Sequence, residues 1–280
     1  MIIWLASYPK SGNTWVRSII SSLLYTQNGI FNFKLLHKID QFPEKKYFKD
    51  LITDFGNFEQ IKSNWILAQD KINLDANQKL FKTHQGKYTI GKNNFTNSSN
   101  TSGVIYIVRD PRAVVSSISN HYTLSIEESL EFMLSPKLIG NPLSIEEKKD
   151  GLLTLLGKWN EHYKSWTINK ENLLLIKYED LILNPNLEID KISSYLKKFF
   201  QFETNEEKIQ NVLKSTSFNN LKKMENKDLF KEGVLNKETN SNVNFFNLGP
   251  KNNWKDLVNK KIISSIENNF ASEMKELNYL

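Results

Sequence analysis

The sequence predicts an α/β protein built as a single domain, with a central, mostly parallel sheet flanked by helices. Three observations predict it. Short runs of buried-strand character recur at 2–6, 79–83, 104–108 and 173–176. Segments with helical spacing separate them, which is the alternation a parallel sheet requires. Two of the runs end in turn or capping chemistry: Pro9 and Gly12 follow the first, and Asp110-Pro111 follows the third.

Taken in order, Ile2 to Ala6 reads as a buried strand and Ser7 to Trp15 as a tight turn entering a helix. Val16, Ile19, Ile20, Leu23 and Leu24 carry that helix to Tyr25. Residues 27–78 hold no catalytic string. Phe31, Phe33, Phe42, Tyr47, Phe48, Phe55 and Phe58 make this segment aromatic, either as a substrate lid or as helices over the sheet. Lys79 to Thr83 is a second strand, and Asn93 to Gly103 has the composition of a polar surface loop. Val104 to Val108 is a β-branched strand, after which Asp110 caps a helix with Pro111 at its first position. Helical patterns follow at Ile126–Leu134 and Glu146–Trp166. Leu173 to Ile176 is another buried strand, and helices are expected at Ile189–Phe200, Glu206–Leu213 and Lys260–Leu277. With no repeat and no linker, residues 1–280 read as one domain.

Composition bounds the function. The chain has 280 residues, 39% hydrophobic and 24% charged, and no cysteine. Disulfides and cysteine-based zinc or iron–sulfur sites are therefore excluded. No basic leader and no apolar run of bilayer length stands out, so the expectation is a cytoplasmic protein with no membrane span. The net charge of +6 favours anionic ligands, but the lysines are scattered and form no basic arm, so nucleic acid is not expected.

The first strand–turn–helix carries the chemistry. Such a turn aims backbone N–H groups and the positive end of a helix dipole at one spot, which suits a phosphate. Lys10 adds a mobile positive charge, Ser11 and Thr14 add hydroxyls, and Trp15 offers an indole face to a base. The order differs from a Walker A loop, because Lys10 precedes Gly12. At the end of the third strand, Arg109 supplies a planar fork for a phosphate, and Ser117 follows two turns into the next helix.

Tyr8-Pro9-Lys10-Ser11-Gly12-Asn13-Thr14-Trp15 resembles the 5′-phosphosulfate loop of the sulfotransferases that use 3′-phosphoadenosine 5′-phosphosulfate (PAPS). Arg109-Asp110-Pro111 with Ser117 resembles their 3′-phosphate motif, and Lys82-Thr83-His84 their catalytic segment. Looser matches are Tyr178 in Lys177-Tyr178-Glu179-Asp180, then Thr216-Ser217-Phe218, then Leu248-Gly249 through Trp254-Lys255.

The resemblance implies a P-loop-kinase-like fold and in-line sulfuryl transfer, with PAPS as co-substrate, 3′-phosphoadenosine 5′-phosphate (PAP) as product, and no metal. It implies His84 as base, Lys10 at the bridging oxygen and Lys82 at the sulfonate. Donor binding would fall to Lys10, Ser11, Gly12, Asn13, Thr14, Trp15, Arg109, Ser117, Tyr178, Thr216, Ser217, Phe218 and Gly249. The sequence departs from the family pattern in two places. Gln85-Gly86 replaces an apolar–proline pair after the histidine. Near the C-terminus Asn247-Leu248 stand where a basic pair is expected and Asn252 where a second glycine is expected, with Lys251 as a candidate substitute charge.

An ATP- and magnesium-dependent kinase, or an inactive module that binds nucleotides or sulfated ligands, are the competing readings. The acceptor, a small molecule or a carbohydrate, and the oligomeric state are not legible.

Overall fold

Every residue of β1 (Ile2–Ser7) is buried, which is why its sequence is apolar on both faces instead of alternating. The computed structural model describes residues 1–140, 151–225, 227, 230, 234–235 and 242–280. Backbone contacts divide the chain into two compact units. One comprises Met1–Tyr8, Ile39–Ile107 and Ser135–Leu175; the other comprises Pro9–Lys38, Val108–Leu134 and Ile176–Leu280.

In the first unit, β1 lies between β3 (Lys79–Thr83) and β6 (Thr101–Val108), parallel to both, with Ala6 opposite Thr83 and Tyr106. β2 (Asp40–Gln41) pairs parallel to β3, and β9 (Leu173–Lys177) completes the order β2-β3-β1-β6-β9. Two short antiparallel pairs accompany the sheet: β4 (Thr89–Ile90) with β5 (Asn93–Asn94), and β7 (Leu138–Ile139) with β8 (Thr154–Leu155). Helices α2 (Phe58–Ser63), α3 (Trp65–Ile72) and α6 (Trp159–Thr167) belong to the same unit. Its core is aromatic: Trp4 lies 5.6 Å from Phe42, 5.2 Å from Phe95 and 6.1 Å from Trp166, ring centre to ring centre. Tilted and edge-on pairs of this kind add to area burial. Phe42 and Phe48 are therefore core residues.

Two sequence expectations are corrected here. The stretch 93–103 is a surface loop only in part: Asn94, Ser98 and Ser99 are exposed, but the rest turns inward or joins β6. Phe95 is buried, Thr96 donates to the Gln69 side chain at 2.6 Å, and Thr101, already in β6, accepts from the Trp4 indole at 3.0 Å. Thr96, Asn100, Thr101 and Ser102 satisfy partly or fully buried partners, which composition alone does not reveal. The expected helix at Glu146–Trp166 begins only at Trp159, because residues 154–155 form β8; residues 146–150 lie outside the described residues.

In the second unit, α1 (Asn13–Tyr25) buries its serines by turning them back on the helix. Ser18 donates to the Thr14 carbonyl at 2.8 Å and Ser22 to the Ser18 carbonyl at 3.0 Å. In α4 (Pro111–Tyr122) the Asp110 carboxylate accepts from the Arg112 amide at 2.9 Å and Pro111 opens the first turn, as the sequence predicts. Then come α5 (Ile126–Leu134), α7 (Tyr178–Leu183), α8 (Pro185–Leu196), α9 (Glu206–Ser215) and α10 (Phe218–Glu225). β10 (Val234–Leu235) pairs antiparallel to β11 (Asn242–Val243). α8 starts at Pro185, four residues earlier than expected, because proline favours the first helical position. The expected C-terminal helix at Lys260–Leu277 is two pieces, α12 (Lys260–Asn269) and α13 (Ala271–Glu276), broken at the buried Phe270, and a short α11 (Trp254–Leu257) precedes them. Among the described residues no helix is long and apolar enough to cross a membrane.

Candidate active site

The second unit carries the phosphate-type features. β1 leads into a loop in which Lys10 has a φ of 66° and Gly12 a φ of 104°. These left-handed residues reverse the chain onto α1, whose N-terminus has no side-chain cap. The N-terminus of a helix concentrates amide dipoles at one spot, a setting that suits an anion. Gly12 is required twice over. Its φ disfavours a side chain, and a Cβ there would sit 2.6 Å from Cδ2 of Tyr178.

Arg109 leaves the end of β6 and donates from Nη1 to the Lys10 carbonyl at 3.2 Å. Its guanidinium lies 4.2 Å over the Tyr178 ring, and that ring meets Trp15 edge-on at 5.5 Å. The fold thus brings Lys10, Gly12, Trp15, Arg109 and Tyr178 into one set of contacts. Asp110 does not consume the arginine, because its carboxylate pairs with Arg112 at 2.8 Å. Within this set the Ser11 hydroxyl and the Arg109 Nε are buried without a hydrogen-bond partner. Buried polar atoms are nearly always satisfied, so two such atoms in one loop set mark a place for a polar ligand. The Lys10 ammonium lies 3.8 Å from the centre of the Phe245 ring, which also meets His121 edge-on at 5.6 Å.

The remaining expected donor contacts have mixed placements. Asn13 and Thr14 are buried in the first turn of α1. Ser117 is half-buried on α4. Thr216 and Ser217 turn their hydroxyls back onto the last turn of α9, donating to the Val212 carbonyl at 2.8 Å and the Lys214 carbonyl at 3.0 Å. Phe218 lies flush against Gly249, where a Cβ would come within 2.1 Å of the ring at a φ of 53°. Asn252, in place of the second glycine, fixes its loop to α4: it accepts from Ser116 at 3.0 Å and donates to the Ala113 carbonyl at 3.0 Å. Lys251 is exposed, while Lys222 donates to the Asn247 carbonyl at 2.7 Å.

The first unit carries the histidine. β3 runs parallel to β1, so His84, one residue past β3, meets Ser7 at the end of β1. The His84 Nδ1 lies 2.8 Å from the Ser7 carbonyl oxygen and 3.3 Å from its hydroxyl. A carbonyl only accepts, so Nδ1 carries the proton and Nε2 is the basic nitrogen of the neutral ring. Lys82, two residues earlier, is half-buried in β3. Near it, burial raises the Glu44 carboxyl above the usual range, with Lys46 and Lys82 opposing that rise.

A second, buried histidine supports the first. His162 Nε2 lies 3.0 Å from the His84 carbonyl oxygen and must donate to it, so Nδ1 accepts from the Tyr106 hydroxyl at 2.8 Å. Burial holds His162 down to about 3, hence neutral. Gln85 explains how the departure from the family pattern is accommodated. Fully buried, it accepts from the Leu155 amide at 2.8 Å and donates to the Gly86 carbonyl at 3.0 Å, tying the loop after His84 to β8. Sequence reasoning missed His162 and Tyr106, and read Gln85 only as a departure from the family pattern. The available signal was His162 at helical spacing with Trp159, Tyr163 and Trp166, a histidine on a buried face.

A helix N-terminus and an arginine at the ends of adjacent parallel strands define an α/β protein built to hold a phosphorylated ligand. The chain belongs to the sulfotransferase domain family, whose sequence model matches residues 2–278. It is 22% identical over 287 residues to amine sulfotransferase of Oryctolagus cuniculus, covering 98% of this chain and 81% of that protein. It is 26% identical over 259 residues to 3-beta-hydroxysteroid sulfotransferase of Cavia porcellus, covering 89% and 75%. Its fold matches the crystal structure of mouse sulfotransferase SULT7A1 complexed with PAP, with a TM-score of 0.58 and 19% identity over 97% of this chain and 83% of that one.

Proposed function

We propose that this sulfotransferase moves a sulfuryl group from PAPS to a hydroxyl or amine of a small-molecule acceptor, with His84 as the base and residues 1–280 acting as one domain. The observation that carries the reading is the Lys10–Gly12–Arg109–Tyr178 set, with its two buried, unpartnered polar atoms on Ser11 and Arg109. The ligand-bound mouse relative and the amine and steroid sulfotransferases named above support the donor and the acceptor class.

In this reading the Lys10 loop receives the 5′-phosphosulfate, Arg109 and Ser117 the 3′-phosphate, and Trp15 and Tyr178 the base, which supplies the proximity term. His84 Nε2 takes the acceptor proton as the new S–O bond forms. Lys10 meets the negative charge on the bridging oxygen as the old S–O bond breaks and PAP leaves, and Lys82 meets the sulfonate oxygens. A positioned base contributes ~10²–10⁴-fold, and loss of a preorganised charge costs on the order of 10²–10³-fold.

The test is calorimetric titration of metal-free protein with PAP, set against ATP with magnesium, in wild type and Arg109→Ala. Tight, metal-independent PAP binding that the variant weakens supports the donor site. Preference for ATP with magnesium replaces the reading with a kinase. Donor binding without turnover across amine, phenol and steroid acceptors replaces it with an inactive binding module. Near-normal turnover in His84→Ala or Lys10→Ala removes the role assigned to that residue.

A further inference from the structure

The Glu179 carboxylate spends its two oxygens on two different parts of the second unit. Oε1 accepts from the Asp110 amide at 3.0 Å, and Oε2 accepts from the Tyr279 hydroxyl at 2.8 Å. The Asp110 amide belongs to the peptide that joins Arg109 to Asp110. Tyr178, directly before Glu179, carries the ring under the Arg109 guanidinium.

Tyr279 is itself held in place. Its carbonyl accepts from Arg112 Nη2 at 2.7 Å, its amide donates to the Met274 carbonyl at 2.8 Å, and the Lys177 ammonium lies 4.5 Å from its ring centre. Arg112 also pairs with the Asp110 carboxylate at 2.8 Å. The contacts therefore close a circuit. Asp110 is tied to Tyr279 through its amide, by way of Glu179, and through its carboxylate, by way of Arg112.

We propose that Tyr279 is a positioning residue of the nucleotide site: by orienting the Glu179 carboxylate it fixes the Arg109–Asp110 peptide, and so sets the guanidinium for a 3′-phosphate. The proposal rests on the reading of Arg109 as a 3′-phosphate ligand. Geometry makes the bridge directional. A carboxylate with both oxygens engaged cannot rotate without leaving a buried polar atom unpaired. Burial, with Glu179 beside it, keeps the Tyr279 phenol protonated and therefore a donor. Burial raises the Glu179 carboxyl, which the Asp110 amide, the Tyr279 hydroxyl and Arg109 oppose.

The test compares PAP with adenosine 5′-phosphate, which lacks the 3′-phosphate, by calorimetry on wild type, Tyr279→Phe, Glu179→Gln, the double variant and Arg109→Ala. Tyr279→Phe is expected to weaken PAP about tenfold, the loss typical of one disturbed hydrogen bond to a charge, and to leave adenosine 5′-phosphate within about twofold. In the Glu179→Gln background the same substitution is expected to add nothing, since the two act through one bridge. An equal loss for both nucleotides, no loss for PAP, or additive effects overturns the proposal, because a merely structural role weakens both ligands alike. Glu179→Gln keeps the side chain's shape and reads the same bridge from its other end, so the test survives a poorly folding Tyr279 variant. If Arg109→Ala leaves PAP affinity intact, the reading of the 3′-phosphate site fails and this proposal falls with it. If Arg109→Ala weakens PAP and Tyr279→Phe does not, the proposal alone fails.

Discussion

His162 donates its Nε2 proton to the carbonyl oxygen of His84 across 3.0 Å, so one imidazole holds the backbone that carries another. The two rings have opposite electrical requirements. The proposed base must accept a proton in each turnover, while the buried supporter must stay neutral.

The neutrality of His162 predicts a pH dependence of stability. Burial lowers it from 6.5 to about 3. Between those limits the unfolded chain binds one proton that the folded chain excludes. Stability attached to this residue is therefore present above pH 6.5 and is lost as the pH falls, at ~1.4 kcal/mol per pH unit. His162→Gln keeps a donor for the His84 carbonyl and removes the titration. In urea unfolding from neutral pH to about pH 4, the wild type should lose stability faster than the variant, with that slope in their difference. A pH-independent difference would show that His162 does not titrate in this way.

Gly12→Ala should damage both fold and ligand binding. The φ of 104° disfavours any side chain, and the new methyl group would meet Tyr178 at 2.6 Å. The backbone effect alone is about 1 kcal/mol. Displacing Tyr178 also removes the surface under Arg109, so PAP affinity should fall by about tenfold or more. Calorimetry combined with urea unfolding separates the two effects.

Arg109→Lys should not rescue binding, although it conserves charge. Lysine lacks the planar fork that rests on Tyr178 and bonds the Lys10 carbonyl. The expected loss in PAP affinity is about tenfold or more. Affinity equal to wild type would mean that the site senses charge alone.

Gln85→Leu should destabilise the fold without adding a charge. The leucine fits the volume but leaves the Leu155 amide and the Gly86 carbonyl without the partners they have at 2.8 Å and 3.0 Å. The expected cost is about 2–3 kcal/mol, read from the urea midpoint. An unchanged midpoint would show that the loop after His84 does not depend on this staple.

What the sequence made legible was chemistry written in adjacent residues. The apolar run from Ile2, the turn through Lys10 and Gly12, and the Asp110-Pro111 cap all depend on near neighbours, and each stands where expected. Arg109 and Tyr178 were legible as motif residues, and the fold stacks one on the other. Illegible residues depend on partners far along the chain. Glu179 meets Tyr279 a hundred positions later, and His84 meets His162 after 78. Nor does composition reveal that several polar residues around Phe95 satisfy buried or partly buried groups, which is why that whole stretch reads as exposed.

The left-handed turn at Lys10 has a consequence for descent. At a φ of 66° a glycine would be free of the strain that a lysine bears there, about 1 kcal/mol. Lys10→Gly should therefore yield a sturdier protein, and under the proposed mechanism one that no longer turns over. Among duplicated copies of this domain, a lineage released from selection for transfer would drift toward glycine at this position.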